Sequence, residues 1–161
     1  MGHNMTANEF QELTGVPRET MDKLVLYSET LTKWQKSINL VSNSTLPNMW
    51  LRHFYDSAQL SGYITRTDKP LKILDLGSGA GFPGMVLAIA CDTPFVLAES
   101  DSRKCAFLRE VRRVTDAPAE IHEGRVEAID HAGFGLIVAR ALAPVTRLLE
   151  LARPLLGGEG K

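Results

Sequence analysis

The sequence predicts an α/β fold, in which helices cover a parallel sheet and a helical segment precedes it. From Leu71 onward, short apolar runs alternate with stretches of helical pattern, which is typical of parallel strands joined by right-handed crossovers. Before that point, apolar residues recur at helical spacing from about residue 8 to residue 64. We therefore expect an N-terminal helical segment over residues 1–64 and a sheet domain over residues 65–161.

The N-terminal segment is expected to hold two main helices. The first begins at Arg18, where Pro17 suits the first turn, and Asn39 suits its end. The second begins near Pro47, with Thr45 as its cap. Helix and short loop therefore account for most of this part of the chain.

The sheet domain is expected to consist of alternating strands and helices. Apolar runs predict strands at Ile73–Leu76, Phe95–Glu99, Ala119–His122 and Leu136–Ala139. Helical pattern predicts helices at about 83–91, 102–115 and 144–153. The final residues, 155–161, have the composition of a turn that leads into a fifth strand, so we expect a sheet that is incomplete at its C-terminal end.

A glycine-rich loop after the first predicted strand is the most informative feature. It reads Asp75-Leu76-Gly77-Ser78-Gly79-Ala80-Gly81-Phe82-Pro83-Gly84. A strand, a glycine turn and a helix in this order present backbone N–H groups and a carboxylate to a nucleoside. Glycine is required where the backbone turns with positive φ or comes close to a ligand. The loop therefore predicts a nucleoside-binding site.

Two classes of cofactor fit this loop. The stretch from Gly79 to Gly84 matches the G-x-G-x-x-G of dinucleotide folds, with Glu99 about 20 residues further on to bind a ribose. The stretch from Asp75 to Gly81 matches the acidic-x-Gly-x-Gly-x-Gly loop of S-adenosylmethionine-dependent methyltransferases. The second is favoured, because a carboxylate at Asp75 suits a sulfonium and would repel a pyrophosphate.

Further candidates stand at the carboxyl ends of the other predicted strands, where open α/β sheets bind ligands. Glu99 ends the second strand and is placed to accept hydrogen bonds from both ribose hydroxyls. The segment 123–127 follows the third strand, where backbone N–H groups and an acid can address an adenine. Arg140 ends the fourth strand, where it suits a carboxylate or phosphate, or equally a structural ion pair.

Composition narrows the class of protein. A chain of 161 residues with a formal charge of −1 suits one domain with a small appendage, and argues against a generic polyanion binder. Cys91 and Cys105 form no metal-binding or redox motif, which indicates reduced thiols in a cytosolic protein. His53 and Asp56 lack a third metal ligand, so a packed His–Asp hydrogen bond is favoured. We expect a cytoplasmic protein that binds neither a membrane nor a metal.

Together these motifs resemble one family, the bacterial 16S ribosomal RNA guanine-N7 methyltransferases (glucose-inhibited division protein B). The resemblance covers about residues 24–161, and the Gly-Phe-Pro-Gly ending of the glycine loop is one of its specific marks. The other motifs that carry it are Ile38-Asn39-Leu40-Val41-Ser42, Leu51-Arg52-His53-Phe54-Tyr55-Asp56-Ser57, Arg125-Val126-Glu127 and Ala139-Arg140-Ala141. The fold it implies is a Rossmann-like methyltransferase sheet.

The resemblance also implies an activity, namely methyl transfer from S-adenosylmethionine to N7 of one guanine in 16S ribosomal RNA, with S-adenosylhomocysteine as product. It implies cofactor contacts at Gly77, Phe82, Val126, Glu127 and Arg140, which join Asp75, Gly79, Gly81 and Glu99 from the motifs. It implies RNA-binding or catalytic roles for Arg125, Arg52, His53 and Asn39.

The chemistry of this reaction needs few polar groups. Guanine N7 carries an available lone pair, so no base has to remove a proton, and alignment of the reactants is the expected contribution of the enzyme. We expect a monomer that acts on 16S ribosomal RNA, either free or within the small ribosomal subunit. The alternatives are a small-molecule methyltransferase, which would share the loop, and a nicotinamide-dependent oxidoreductase.

Overall fold

The structure is a computed structural model, and it describes residues 2–65, 71–130, 133–140 and 143–158. The predicted domain boundary at residue 64 stays a prediction, because the connection at 66–70 lies outside the described residues. Ala141 of the Ala139-Arg140-Ala141 motif and the last three residues, 159–161, lie outside them as well.

In the described part of the chain, four parallel strands form one sheet in the order β3-β2-β1-β4. The strands are β1 (Ile73–Leu76), β2 (Phe95–Glu99), β3 (Ala119–Glu123) and β4 (Leu136–Ala139). The predicted parallel sheet is confirmed, and β3 runs one residue further than expected. Because the strand order reverses at β1, the carboxyl ends of β1 and β4 flank the crevice where such sheets bind ligands.

The predicted helices of the sheet domain are present as α5 (Gly84–Cys91), α6 (Ser102–Thr115) and α7 (Val145–Ala152). Helix α5 is buried on nearly every side from Gly84 to Ile89, since it lies between the sheet and the N-terminal helices. The Asp101 side chain caps α6 by accepting hydrogen bonds from the N–H groups of Arg103 and Lys104.

The N-terminal segment contains α1 (Ala7–Thr14), α2 (Arg18–Gln35), α3 (Asp56–Ala58) and α4 (Ser61–Thr65). Helix α2 begins at Arg18 as predicted, but it ends at Gln35 and not at Asn39. The reason is the Gln35 side chain, whose Oε1 accepts hydrogen bonds from the N–H groups of Leu40 and Val41, both at 3.1 Å. This amide folds the chain back over the helix end and brings Leu40 toward the sheet.

The second N-terminal helix is less regular than the sequence predicted. A 3₁₀ turn at Leu46–Asn48 leads into a π-helical turn at Trp50–Tyr55, and only then does α3 begin. Thr45 does not cap this segment, because its hydroxyl donates to the Ser42 carbonyl at 2.9 Å. A π-helical turn widens the helix and is frequent at functional sites.

One hydrophobic cluster joins the N-terminal helices to the sheet domain. Phe10, Tyr27 and Phe54 are fully buried in it beside Leu97 of β2 and Phe107 of α6. Tyr27 packs edge-on to Phe54, with ring centroids 5.1 Å apart. Helix α2 also contacts α5 and α6 directly. The helical segment and the sheet domain therefore share one packed core.

Candidate active site

The carboxyl ends of the strands open into a cavity of about 630 Å³. The predicted site residues that line it are Gly77, Gly79, Glu99, Arg125, Val126, Glu127 and Arg140. They come from four separate segments of the chain. The fold therefore assembles them where the switch in strand order predicts a ligand.

The glycine loop forms the floor of this cavity and has the backbone that only glycine adopts readily. Gly77, Gly79 and Gly81 have φ values of 67°, 55° and 93°. At Gly81 a Cβ would also collide with the Tyr27 hydroxyl and with Met85 Cβ. Tyr27 donates a hydrogen bond to the Ala80 carbonyl, so a helix of the N-terminal segment holds the loop in place.

The Glu99 carboxylate is fixed by backbone N–H groups. Its Oε2 accepts from Gly79 at 2.7 Å, and its Oε1 accepts from Ser100 at 2.9 Å and from Asp101 at 3.0 Å. A carboxylate has about four acceptor positions, so one remains for a ligand. That Glu99 accepts hydrogen bonds from the ribose hydroxyls stays a prediction.

Asp75 does not line the cavity, contrary to the expectation that its charge faces a cofactor. It is fully buried, and its Oδ2 accepts a hydrogen bond from the Gly84 N–H at 3.0 Å, at the start of α5. Its Oδ1 has no hydrogen-bond partner among the described residues. Burial raises the pKa of this carboxyl to about 7, against the lowering effect of the Gly84 hydrogen bond. Asp75 therefore stabilises the end of the glycine loop, through its hydrogen bond with Gly84, from the side away from the cavity.

Arg140 links the end of β4 to the π-helical turn. Its Nη2 donates to the Arg52 carbonyl at 3.0 Å and to His53 Nδ1 at 3.1 Å. The expected His53–Asp56 hydrogen bond is absent, because both ring nitrogens of His53 are engaged elsewhere, with Arg140 and with the Thr45 hydroxyl at 2.8 Å. Burial and then the charge of Arg140 lower the pKa of His53 to about 4, so the ring is neutral at pH 7.

The described residues contain no group of three or more His, Cys, Asp or Glu side chains that could hold a metal ion. Cys105 is buried and Cys91 partly buried, and both are unbridged. Across the same residues, none of the helices has the length and hydropathy needed to cross a bilayer.

Comparison with known proteins places this site in a family. The profile of rRNA small subunit methyltransferase G (GidB) matches residues 20–161. A relative of that name from Parvibaculum lavamentivorans is 50% identical over 159 residues, which cover 95% of this chain and 70% of the relative. Another, from Paramagnetospirillum magneticum, is 49% identical over 157 residues, which cover 96% of this chain and 76% of that one. The chain belongs to this family.

Solved structures support the fold of this methyltransferase G family member. A Klebsiella pneumoniae protein proposed to be an O-methyltransferase matches with a TM-score of 0.59 and 17% identity, over 84% of this chain and 60% of that chain. A SAM-dependent methyltransferase from Agrobacterium tumefaciens matches with a TM-score of 0.52 and 14% identity, over 65% of this chain and 41% of that chain. At these identities the likeness shows the fold alone. The Rossmann-like methyltransferase sheet is confirmed, and family membership removes the oxidoreductase alternative.

Several predicted site residues of this family member do not line the cavity. Besides Asp75, they are Gly81, Phe82, Asn39, Arg52 and His53. Phe82 is 6% exposed and packs between two rings, with centroids 5.4 Å from Tyr27 and 5.1 Å from His53. Asn39 contacts the Gln35 amide at 3.4 Å. These residues lie behind or beside the cavity, and their proposed roles stay predictions.

Other residues line the cavity that the sequence did not single out as site residues, among them Leu40, Lys104 and Arg147. Arg147 of α7 pairs with Glu127 at 3.5 Å and with Glu150 at 3.1 Å. The helical spacing of Arg147 and Glu150 was visible in the sequence, but the contact with Glu127 depends on how α7 packs beside β4. Together with Arg125 and Arg140, these cations give the cavity a basic wall.

Proposed function

We propose that this chain transfers the methyl group of S-adenosylmethionine to N7 of one guanine in 16S ribosomal RNA. The observation that carries the proposal is the cavity at the carboxyl edge of the sheet, with Glu99 fixed beside the glycine loop, in a member of the methyltransferase G family. The relatives named above are ribosomal RNA small subunit methyltransferases.

The residues of the cavity fit this cofactor. Gly77 and Gly79 leave a cradle without side chains, so the backbone can approach a nucleoside closely. Glu99 keeps one acceptor position for a ribose hydroxyl, and Val126 and Glu127 offer an apolar contact and a carboxylate to an adenine. Arg140 has a buried Nη1 with no partner among the described residues, which suits the carboxylate of the amino-acid part. When bound, the cofactor supplies an activated methyl group.

The remaining catalytic work is alignment, since guanine N7 attacks through its own lone pair. The protonation state and hydrogen bonds of His53 agree with a reaction that needs no general base. His53 is neutral at pH 7, has both nitrogens engaged and lies off the cavity wall, so it is not placed to act as a base. We propose that Arg125, on the wall, contacts the RNA, and that Arg52 and Asn39 contact it beside the cavity.

The basic wall suits a substrate that carries phosphates, which favours RNA over an uncharged small molecule. Lys104 and Arg125 line the cavity in addition to Arg140, which is assigned to the cofactor, and Arg147, which pairs with Glu127 and Glu150. Phosphate contacts by Lys and Arg dominate the affinity of proteins for nucleic acids. We further propose that the chain acts as a monomer in the cytoplasm, and that its substrate is the RNA assembled in the small subunit.

The test is methyl transfer with labelled S-adenosylmethionine to 16S ribosomal RNA, free or in purified small subunits that lack the modification. Digestion and mass spectrometry should find one 7-methylguanosine per RNA molecule. Label on another atom, or label only on small molecules of an extract, would refute the proposal. Transfer to free RNA but not to subunits would refute only the statement on assembly.

A further inference from the structure

A hydrogen-bond chain connects the cavity to the loop that precedes the π-helical turn. Arg140 stands at its inner end, with Nη2 on His53 Nδ1 at 3.1 Å. His53 Nε2 contacts Thr45 Oγ1 at 2.8 Å, and Thr45 Oγ1 donates to the Ser42 carbonyl at 2.9 Å. This series of hydrogen bonds therefore runs from Arg140 on the cavity wall to the Ser42 carbonyl outside the cavity.

Arg140, at one end of this series of hydrogen bonds, determines which atom donates and which accepts in each of them. An arginine guanidinium has donors but no acceptor, so His53 Nδ1 must accept and cannot carry a proton. A neutral imidazole then carries its proton on Nε2 and donates it to Thr45. The Thr45 hydroxyl, having accepted there, has its own proton free for the Ser42 carbonyl, and the 2.9 Å distance agrees. One tautomer of His53 satisfies all three bonds.

We propose that Thr45 is a positioning residue for the methyl transfer: its hydroxyl accepts the Nε2 proton of His53, anchors the ring, and thereby orients Arg140 toward the cofactor. The inference rests on the proposed function, because the ligand of Arg140 is taken to be S-adenosylmethionine. Two further observations support it. The Arg140 Nη1 is buried and without a partner among the described residues, and His53 packs against Phe82 of the glycine loop with ring centroids 5.1 Å apart.

The neutral state of His53 is required for this role. A protonated ring would point an Nδ1–H at the guanidinium and break the bond to Arg140. Burial and then the charges of Arg140 and Arg52 together lower the pKa of His53 to about 4, and the charge of Asp56 opposes them. The ring therefore stays a hydrogen-bond acceptor toward Arg140 at pH 7.

The first measurement is the tautomer of His53 in the unmodified protein, from two-bond ¹H–¹⁵N correlation spectra of the imidazole at pH 7. We expect a protonated Nε2 and an unprotonated Nδ1. The opposite tautomer would overturn the inference, and this result does not depend on any variant folding.

The second measurement is the affinity for S-adenosylmethionine, by calorimetry, of Thr45→Val and Thr45→Ser. Valine keeps the shape and removes the hydroxyl that accepts from His53 Nε2, so we expect about 5-fold weaker binding. The tautomer of His53 should stay the same, because Arg140 still requires an unprotonated Nδ1. Serine keeps the hydroxyl and should restore the affinity. The matched control is Thr14→Val, since Thr14 also donates to one backbone carbonyl, that of Phe10 at 2.8 Å, and has no hydrogen bond to a histidine within the described part of the chain.

The outcomes separate this inference from the proposed function. If Thr45→Val binds the cofactor as tightly as the unmodified protein, the positioning role is overturned. If serine fails to restore what valine removes, the hydroxyl is not responsible and the inference is overturned as well. If the unmodified protein binds no S-adenosylmethionine, the proposed function itself is wrong, and the role of Arg140 toward the cofactor falls with it.

Discussion

At the scale of single residues, Glu99 has three of its acceptor positions filled by the N–H groups of Gly79, Ser100 and Asp101. In Glu99→Gln, one oxygen becomes an NH₂ group that faces a backbone N–H. We expect a loss of about 1 to 3 kcal/mol in the free energy of unfolding, measured by urea denaturation. We also expect roughly 10-fold weaker cofactor binding, because the amide disturbs the loop at Gly79 and lacks the charged acceptor for a ribose hydroxyl.

The control for this substitution is Glu120→Gln, which makes the same chemical change at an exposed position of the neighbouring strand β3. It should alter neither quantity. Equal affinities of the two variants for S-adenosylmethionine would contradict the role given to Glu99.

Asp75 has a pKa raised to about 7 from an ordinary value of 3.8, because it is buried. Between these values the folded protein holds a proton that the unfolded chain has released. This group therefore contributes most to stability at acid pH, and its contribution is lost as the pH rises toward 7. Asp75→Asn cannot titrate, so its free energy of unfolding relative to the unmodified protein should rise by roughly 2 to 3 kcal/mol from pH 5 to pH 8.

Urea denaturation at the two pH values measures this difference, and other titrations cancel between the two proteins. Asp22→Asn, at an exposed position of α2, serves as the control and should show no such change. Parallel pH profiles for Asp75→Asn and the unmodified protein would show that the Asp75 carboxyl titrates alike in the folded and unfolded states.

At the scale of elements, the junction of the glycine loop and α5 leaves no room for a side chain. A Cβ on Gly84 would lie 2.5 Å from Asp75 Oδ2 and 2.5 Å from Leu97 Cδ2. Gly84→Ala should therefore lower the free energy of unfolding by about 1 to 3 kcal/mol, the usual cost of overpacking. Gly62→Ala is the matched control, since a Cβ there meets open space inside helix α4.

Because glycine destabilises a helix interior relative to alanine, Gly62→Ala should be neutral or more stable by up to about 1 kcal/mol. Thermal unfolding of both variants checks the contrast. A Gly84→Ala protein as stable as the Gly62→Ala protein would contradict the close packing of Asp75 behind α5.

The strands were predictable from the sequence because each is a short apolar run between polar or glycine-rich segments. Ile73–Leu76, Phe95–Glu99 and Leu136–Ala139 were predicted with the bounds that the structure has. The π-helical turn at Trp50–Tyr55 was not predictable from local pattern, and its Arg52 carbonyl and His53 ring contact Arg140, far away in the chain. The same holds for the early end of α2, which a single side chain, Gln35, decides.

The candidate site was predictable where backbone position alone places a residue at the sheet edge, as for Gly77, Gly79, Glu99 and Arg140. The site was not predictable where the orientation of a side chain decides whether it faces the cavity. Asp75 follows the acidic-x-Gly-x-Gly-x-Gly pattern, yet its carboxylate turns to the Gly84 N–H. A sequence pattern fixes the position of such a carboxylate but not the donor that it meets.

At the scale of the whole molecule, the N-terminal segment takes part in forming the site. Tyr27 of α2 is fully buried and donates to the Ala80 carbonyl in the glycine loop. Tyr27→Phe removes that donor, so we expect a loss of about 1 kcal/mol in stability and several-fold weaker cofactor binding. Tyr63→Phe, at a residue 66% exposed, is the control and should change neither.

Denaturation and calorimetry together decide this prediction. If Tyr27→Phe loses stability but keeps its affinity for S-adenosylmethionine, the N-terminal helices support the core without shaping the loop.

The central claim is that the cavity at the carboxyl edge of the sheet binds S-adenosylmethionine. The most direct test is a calorimetric titration of the protein with S-adenosylmethionine, with a nicotinamide dinucleotide titrated in parallel and Glu99→Gln as the site variant. We expect saturable binding of S-adenosylmethionine alone, with a weaker affinity in the variant. Binding of the dinucleotide instead, or S-adenosylmethionine binding that Glu99→Gln leaves unchanged, would contradict the claim.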